Sequence, residues 1–155
     1  MENPFNTEQN NPKRSTLLTV FLVLTFIGSG LLSFLPNTLI ALFFEQAKEM
    51  FENIALDYDM EAAFKPLMNA MENTGIWGYG FSAILALVSL VGAVLMWNLN
   101  QRGFHLYASA NIISLFVPML FGIASFPSIF WTLITALFIW VYARELKIFA
   151  KPVKE

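Results

Sequence analysis

Apolar residues run along this chain in three long stretches that contain no Asp, Glu, Lys or Arg: residues 15–44, 73–101 and 103–143, which are 30, 29 and 41 residues long. A helix crosses ~30 Å of hydrocarbon with ~20 largely apolar residues. The first two stretches each predict one span, about 16–35 and 76–97. The third predicts two, about 104–124 and 129–144. Pro36-Asn37 is expected to stop the first span, and Gly75 to precede the second. Between the last two, Ser125-Phe126-Pro127-Ser128 supplies a turn, because proline disfavours helix at the residue before it and Ser128 can cap the next helix. The expected fold class is all-α: an integral membrane four-helix bundle, residues 15–147, with an extramembrane amphipathic helical segment at 38–74 between spans 1 and 2.

That segment has its own pattern. Ile40, Phe43, Phe44, Ala47, Met50, Phe51 and Ile54 recur at spacings of three and four, with Glu45, Lys48, Glu49 and Glu52 opposite. This spacing predicts an amphipathic helix, with Asn37 or Thr38 as N-cap. A second, shorter helix is expected from Asp59 to Met71, interrupted or kinked at Pro66. A helix carrying Phe43, Phe44, Met50, Phe51 and Ile54 on one side needs cover. Its acidic side disfavours anionic headgroups, so capping the bundle is the first expectation and a protein partner the second. Residues 1–14 read as a disordered polar tail, and residues 148–155 as a short basic one.

Composition agrees with a membrane protein. The chain is 57% hydrophobic and only 13% charged, against roughly a quarter charged in soluble domains. The net charge of −2 hides a strong segregation. Lys13, Arg14, Arg102, Arg144, Lys147, Lys151 and Lys154 border the spans on one side. Only Lys48 and Lys65 lie on the other, outnumbered there by Glu45, Glu49, Glu52, Asp57, Asp59, Glu61 and Glu72. The positive-inside rule then puts both termini in the cytoplasm and the acidic segment outside. Aromatic residues match this, with Trp77, Tyr79 and Trp131 at the outer interface and Trp97, Tyr107, Trp140 and Tyr142 at the inner one. Lys13 and Arg14 before an apolar run also suit a signal peptide. The run is too long for one and lacks a small-residue cleavage site, so an uncleaved anchor is expected.

Small residues mark helix contact in lipid. On the second span Gly75, Gly78, Ser82, Ala86, Ser89 and Ala93 share one narrow face, with Leu85, Leu87, Val91 and Leu95 turned away. The third offers Tyr107, Asn111, Ser114, Pro118 and Gly122. The first offers Thr25, Ser29 and Ser33, and the fourth Thr132, Ala136 and Ala143. Thr25, Ser89 and Asn111 lie at comparable depth and are expected to face one another. Interhelical hydrogen bonds are the first reading of that polarity and a polar cavity for a small ligand the second.

Chemistry-bearing residues are few. There is no cysteine, which removes disulfides, thiolate metal sites and a thiol nucleophile. The single His105 cannot build a multi-histidine site, and it is expected at the cytoplasmic rim beside Arg102 and Tyr107. Asp57, Asp59 and Glu61 resemble a calcium loop only loosely, since Ala62 stands where such a loop needs glycine. They suit a helix start, where the dipole favours acids. Met50, Met60, Met68 and Met71 could ligate Cu(I), but at helical spacing they read as an apolar face. No catalytic, cofactor or metal residue is assigned, no cofactor is expected, and no nucleic-acid motif is present.

Three stretches carry a resemblance: TVFLVLTFIGSG (19–30), GAVLMWNLNQRGFHLYASANIISLFVPMLFG (92–122) and LFIWVYARELK (137–147). They resemble a group of small, uncharacterised four-span proteins of Gram-negative bacteria, through Ile27 to Gly30 and then Met96, Trp97, Leu99, Gly103, Phe104 and Tyr107. The resemblance covers the spans and implies an inner-membrane location without an assigned activity. The leading functional expectation is a non-enzymatic accessory or self-associating protein, whose partners are the lipid bilayer and a second copy or another membrane protein. The alternative is a small transporter or lipid-handling protein with a neutral polar cavity. Ion pumps and relays are disfavoured, because intramembrane charges usually mark them.

Overall fold

The computed structural model describes residues 14–58, 60–121 and 129–149, and all regular structure among them is helical. The turn at Ser125–Ser128, Gly122, Asp59, residues 1–13 and residues 150–155 lie outside the described residues. Five continuous helices follow in order: α1 (Thr16–Leu42), α2 (Phe44–Asp57), α3 (Glu61–Trp97), α4 (Arg102–Leu120) and α5 (Ile129–Phe149). Among the described residues α1, α3 and α4 are long and apolar enough to cross a membrane.

α1 departs from the expected stop at Pro36-Asn37. It begins on Ser15, whose hydroxyl accepts from the Leu18 N–H at 3.0 Å and also donates to the buried Glu145 on α5. It then changes to a π-helix over Phe26–Phe34 before resuming as α-helix over Leu35–Leu42. The i→i+5 pattern widens the turn, and π segments are most often a single turn. Gly28, Ser29, Gly30 and Ser33 lie in it, with little side chain to resist the wider coil. Pro36 stands where the α pattern resumes, close to the junction where a missing N–H costs least. Asn37 is not a cap: its Nδ2 donates to the Ser33 carbonyl at 2.7 Å, and the buried Thr38 hydroxyl has no hydrogen-bond partner among the described residues. The amphipathic helix α2 therefore starts later, at Phe44.

α3 contains both the second outer helix and the second span. Its single non-helical residue is Gly75, at φ 57° and ψ 178°, a conformation that glycine adopts at little cost. The break separates the outer turns from the apolar run 76–97, which at 1.5 Å per residue is ~33 Å long. Pro66 does not interrupt the helix. α3 ends on Leu99 at φ 59°. There the Leu99 N–H reaches the Met96 carbonyl and the Asn100 N–H reaches Leu95, the usual glycine-ended termination. Leu99 tolerates it by packing its side chain on the core.

α4 is shorter than the expected 104–124, ending at Leu120, and α5 runs past residue 144 to Phe149. α3 and α4 meet backbone to backbone. A Cβ on Gly92 would stand 2.7 Å from the Tyr107 nitrogen, and one on Gly103 would strike the Gly92 carbonyl and lie 2.7 Å from the Met96 nitrogen. The core lies at this end of the molecule, where Leu18, Leu22, Ala93, Met96, Tyr107 and Tyr142 are buried.

Two faces differ from expectation. Leu85 is buried rather than turned outward, while Thr132 and Ala136 on α5 lie on the exposed side. There Val141, Tyr142 and Glu145 are the buried residues, so large side chains rather than small ones define the inward face. Tyr107 and Tyr142 are likewise not interfacial anchors, being 4% and 0% exposed.

Outside the spans, α2 lies against the outer turns of α3. Phe44 approaches Tyr79 with ring centroids 6.2 Å apart, and Phe51 approaches Phe64 at 6.4 Å. Ala55 is buried, and Ile54 is half-buried. Lys48 Nζ bridges to Glu72 at 2.8 Å. That hydrogen bond, with the Glu72 charge, holds the Lys48 pKa above its ordinary 10.5. A raised lysine pKa contributes stability that is complete below the ordinary value and is lost as pH climbs through the raised one. The protection factors of α2 amides, which correct for the intrinsic base-catalysed rise of exchange with pH, should therefore match between pH 7 and pH 9 and fall above pH 10.5. Lys48→Met should show lower protection below pH 10.5 and converge on wild type once Lys48 is deprotonated, and salt should narrow the difference because the pair is exposed.

Candidate functional site

The helices do not close around a full ring. The first turns of α1 touch both α3 and α5, but the π segment and the turns after it touch α3, and at their end α2, and do not reach α5. α5 stays against α4. Among the described residues a gap therefore opens between the far half of α1 and α5. A cavity of about 790 Å³ fills it, within the roughly 300–1,000 Å³ range of small-molecule sites.

Thr25, Tyr107 and Phe138 line its floor, and the buried Tyr142 lies directly beneath them. The Tyr142 hydroxyl donates to the Phe21 carbonyl at 2.8 Å. A phenol has one proton to give, so Thr25, 2.5 Å away, donates to it. The Tyr107 ring stands perpendicular to that of Tyr142, with centroids 4.9 Å apart. Phe21 and Phe138 complete the layer at 4.8 Å.

Above the floor the walls carry polar groups from four helices. Thr25, Ser29, Ser33 and Asn37 descend α1 at intervals of four. Ser82 and Ser89 come from α3, Asn111 and Ser114 from α4, and Thr135 from α5. Ser89 is the junction: it lies 3.1 Å from the Ser29 hydroxyl and accepts from Asn111 Nδ2 at 2.9 Å. Asn111 Nδ2 also donates to the Tyr107 carbonyl at 2.8 Å, and Ser114 donates to the Asn111 carbonyl at 2.8 Å. Leu24, Leu32, Leu85, Leu115 and Phe138 supply apolar wall between these groups, and no lining residue is Asp, Glu, Lys, Arg or His.

All seven positions singled out as packing or cavity residues, Thr25, Ser29, Ser82, Ser89, Tyr107, Asn111 and Ser114, line this one cavity. The expected mutual contact of Thr25, Ser89 and Asn111 is made only in part. Ser89 and Asn111 bond, whereas Thr25 turns to Tyr142. The sequence reading missed Tyr142 beneath the floor, Glu145 as the partner of Ser15, and Thr135. An aromatic and a carboxylate near a span end look like interface residues, and only the crossing of α1 over α5 turns them inward.

The expected partner face on α2 divides. Phe44, Phe51 and Ile54 are partly covered, and Phe43 and Met50 are 53% and 52% exposed. His105 is exposed, with its ring beside Phe104 at 5.6 Å. Arg14 lies 4.0 Å over the Trp97 ring and Arg144 5.6 Å from Trp140. No set of three or more metal-ligating side chains converges among the described residues.

No protein-family model matches the chain, and no curated protein or solved structure shows significant similarity to it.

Proposed function

We propose that this is a four-span protein of a bacterial inner membrane that binds an uncharged molecule in the cavity between α1, α3, α4 and α5, as a lipid-handling protein or small transporter. The span reading adds α5 to the three helices of membrane length, since α5 packs on α4 and on the start of α1. Both termini lie in the cytoplasm in this reading, with Arg14 and Arg144 over tryptophans at the closed end and the acidic α2 outside.

One observation carries the ligand reading: ten hydroxyl- or amide-bearing side chains on four helices line one ~790 Å³ space, and among the described residues only Ser29, Ser89 and Asn111 bond side chain to side chain across it. Polar groups in hydrocarbon are costly unless bonded. A bundle that needed them only for packing would close around them. The association reading rests on the small-residue faces and the amphipathic outer helix; of the faces, Ala86, Ser89 and Ala93 are buried within the chain. Of the five residues of the expected partner face on α2, Phe43 and Met50 are the ones left exposed. No catalytic role is proposed.

Mild-detergent purification followed by native mass spectrometry tests the reading. A non-detergent molecule should travel with the protein, and Ser114→Phe, which fills the cavity from a tolerant wall, should remove it without lowering thermal stability. A chain that emerges bare, or bound to a second protein through α2, would favour association instead.

A further inference from the structure

The cavity's chemistry is more specific than its volume. Asn111 is oriented by a backbone carbonyl: only an N–H can face the Tyr107 oxygen, so Nδ2 is fixed there and Oδ1 is the other atom. Nδ2 also serves Ser89. Oδ1 therefore remains an acceptor, and it receives no hydrogen bond among the described residues. It belongs to a residue on the cavity wall, beside the Ser89 and Ser29 hydroxyls. An amide acceptor in this setting favours a partner that donates.

Charge narrows the partner further. No lysine, arginine, histidine, aspartate or glutamate lines the cavity. A carboxylate, phosphate or ammonium brought there would be desolvated with no counter-ion. Shape gives the source. The side gap between the far half of α1 and α5 is flanked by Leu24, Leu32, Ile134 and Phe138. Leu31, Leu32, Leu35 and Leu133 on the two flanking helices are exposed, as residues facing acyl chains are.

From these three observations, and resting on the cavity reading above, the geometry points to a neutral amphiphile taken from the bilayer. Its hydroxyl or amide head donates to Asn111 Oδ1, and its acyl tail leaves through the gap between α1 and α5. The head sits on the tyrosine floor, where Ser29 and Ser89 can exchange further hydrogen bonds with it. Anionic and zwitterionic lipids of the same chain length are excluded by their heads, not by their tails.

The test uses the purified full chain in mild detergent, titrated by native mass spectrometry with three probes of matched chain length: a monoacylglycerol, the corresponding fatty acid at pH 8, and the corresponding lysophosphatidylcholine. The monoacylglycerol should bind at one saturable equivalent, and at least about tenfold tighter than either charged probe, the factor corresponding to one unpaired polar group. Asn111→Leu should weaken it by about the same factor, and Ser114→Phe should abolish it. Equal or tighter binding of the fatty acid or lysolipid overturns the neutral-head assignment and leaves the cavity reading standing. Unchanged monoacylglycerol binding in Asn111→Leu does the same. If no probe binds and the wild-type chain also purifies bare, both the inference and the cavity reading fall. The probe comparison is made on the wild-type chain, so it holds even if Asn111→Leu does not fold.

Discussion

Gly103→Ala should destabilise the protein markedly, and Gly103→Val should prevent α3 and α4 from packing at all. The added Cβ meets the Gly92 carbonyl, the Met96 nitrogen and Leu95 Cβ. Two of these are backbone atoms in helices, which cannot give way as a side-chain tip can. Two effects compete. Alanine is the better helix former by about 1 kcal/mol. Overpacking a close contact costs about 1–3 kcal/mol and sometimes more, so the clash wins. Gly92→Ala should behave alike, because its Cβ would stand 2.7 Å from the Tyr107 nitrogen. Gly80→Ala is the internal control: nothing lies within 4 Å of its Cβ, so only the propensity gain remains. Thermal unfolding in mild detergent should rank the variants Gly80→Ala at or above wild type, then Gly92→Ala and Gly103→Ala well below, and Gly103→Val lowest. A Gly103→Ala protein as stable as Gly80→Ala would refute the backbone contact.

The same glycines show what the sequence could and could not reveal. Helical character and apolar length are properties of each segment alone. The alternation of charge-free runs with charged borders therefore indicated the all-helical class and the three membrane-length helices directly. Gly75 was legible for a similar reason: a glycine between an acidic helix and an apolar run is where a left-handed backbone residue is cheapest. The cavity-lining positions stood out because polarity is conspicuous in an apolar run, and Thr25, Ser89 and Asn111 could be aligned by depth, though of these only Ser89 and Asn111 meet. The π segment was not. Whether Ile27 to Gly30 coils with α or π hydrogen bonds depends on what packs beside it, and Leu90 approaches to 3.4 Å from where a Gly30 Cβ would be. Pro36 was misread in consequence, since proline ends an ordinary α-helix but is accommodated where a π ladder reverts to α. The fourth face was misread because small residues were taken as the mark of contact. Tyr142 contacts through an aromatic ring and one hydroxyl, and its orientation follows from the crossing of α1 over α5, which no single segment encodes.

That tyrosine sets the second large effect. Tyr142 is fully buried on α5, holds α1 through Phe21 and Thr25, and stacks its ring edge on Tyr107 of α4. Tyr142→Phe keeps the ring and removes the hydroxyl, stranding the Thr25 donor. Interhelical hydrogen bonds in membranes average ~0.6 kcal/mol and reach ~1.7, so the loss should stay within about 2 kcal/mol. Tyr142→Ala removes the ring as well, and truncating a buried aromatic costs about 3–5 kcal/mol. The functional consequences should differ more sharply than the stabilities. Tyr142 lies beneath the cavity-lining Thr25 and Tyr107, one helical turn before Glu145 and its contact with Ser15, in the same buried cluster as Leu18, Leu22, Ala93 and Met96. Phenylalanine keeps that space filled, while alanine joins the cavity to the polar contact below it. Proteoliposomes carrying Tyr142→Ala should therefore shrink and reswell faster in a glycerol gradient than wild-type or Tyr142→Phe vesicles, measured by stopped-flow light scattering. Equal rates for all three, together with equal losses of stability in the two variants, would show that the tyrosine layer is not what closes the cavity.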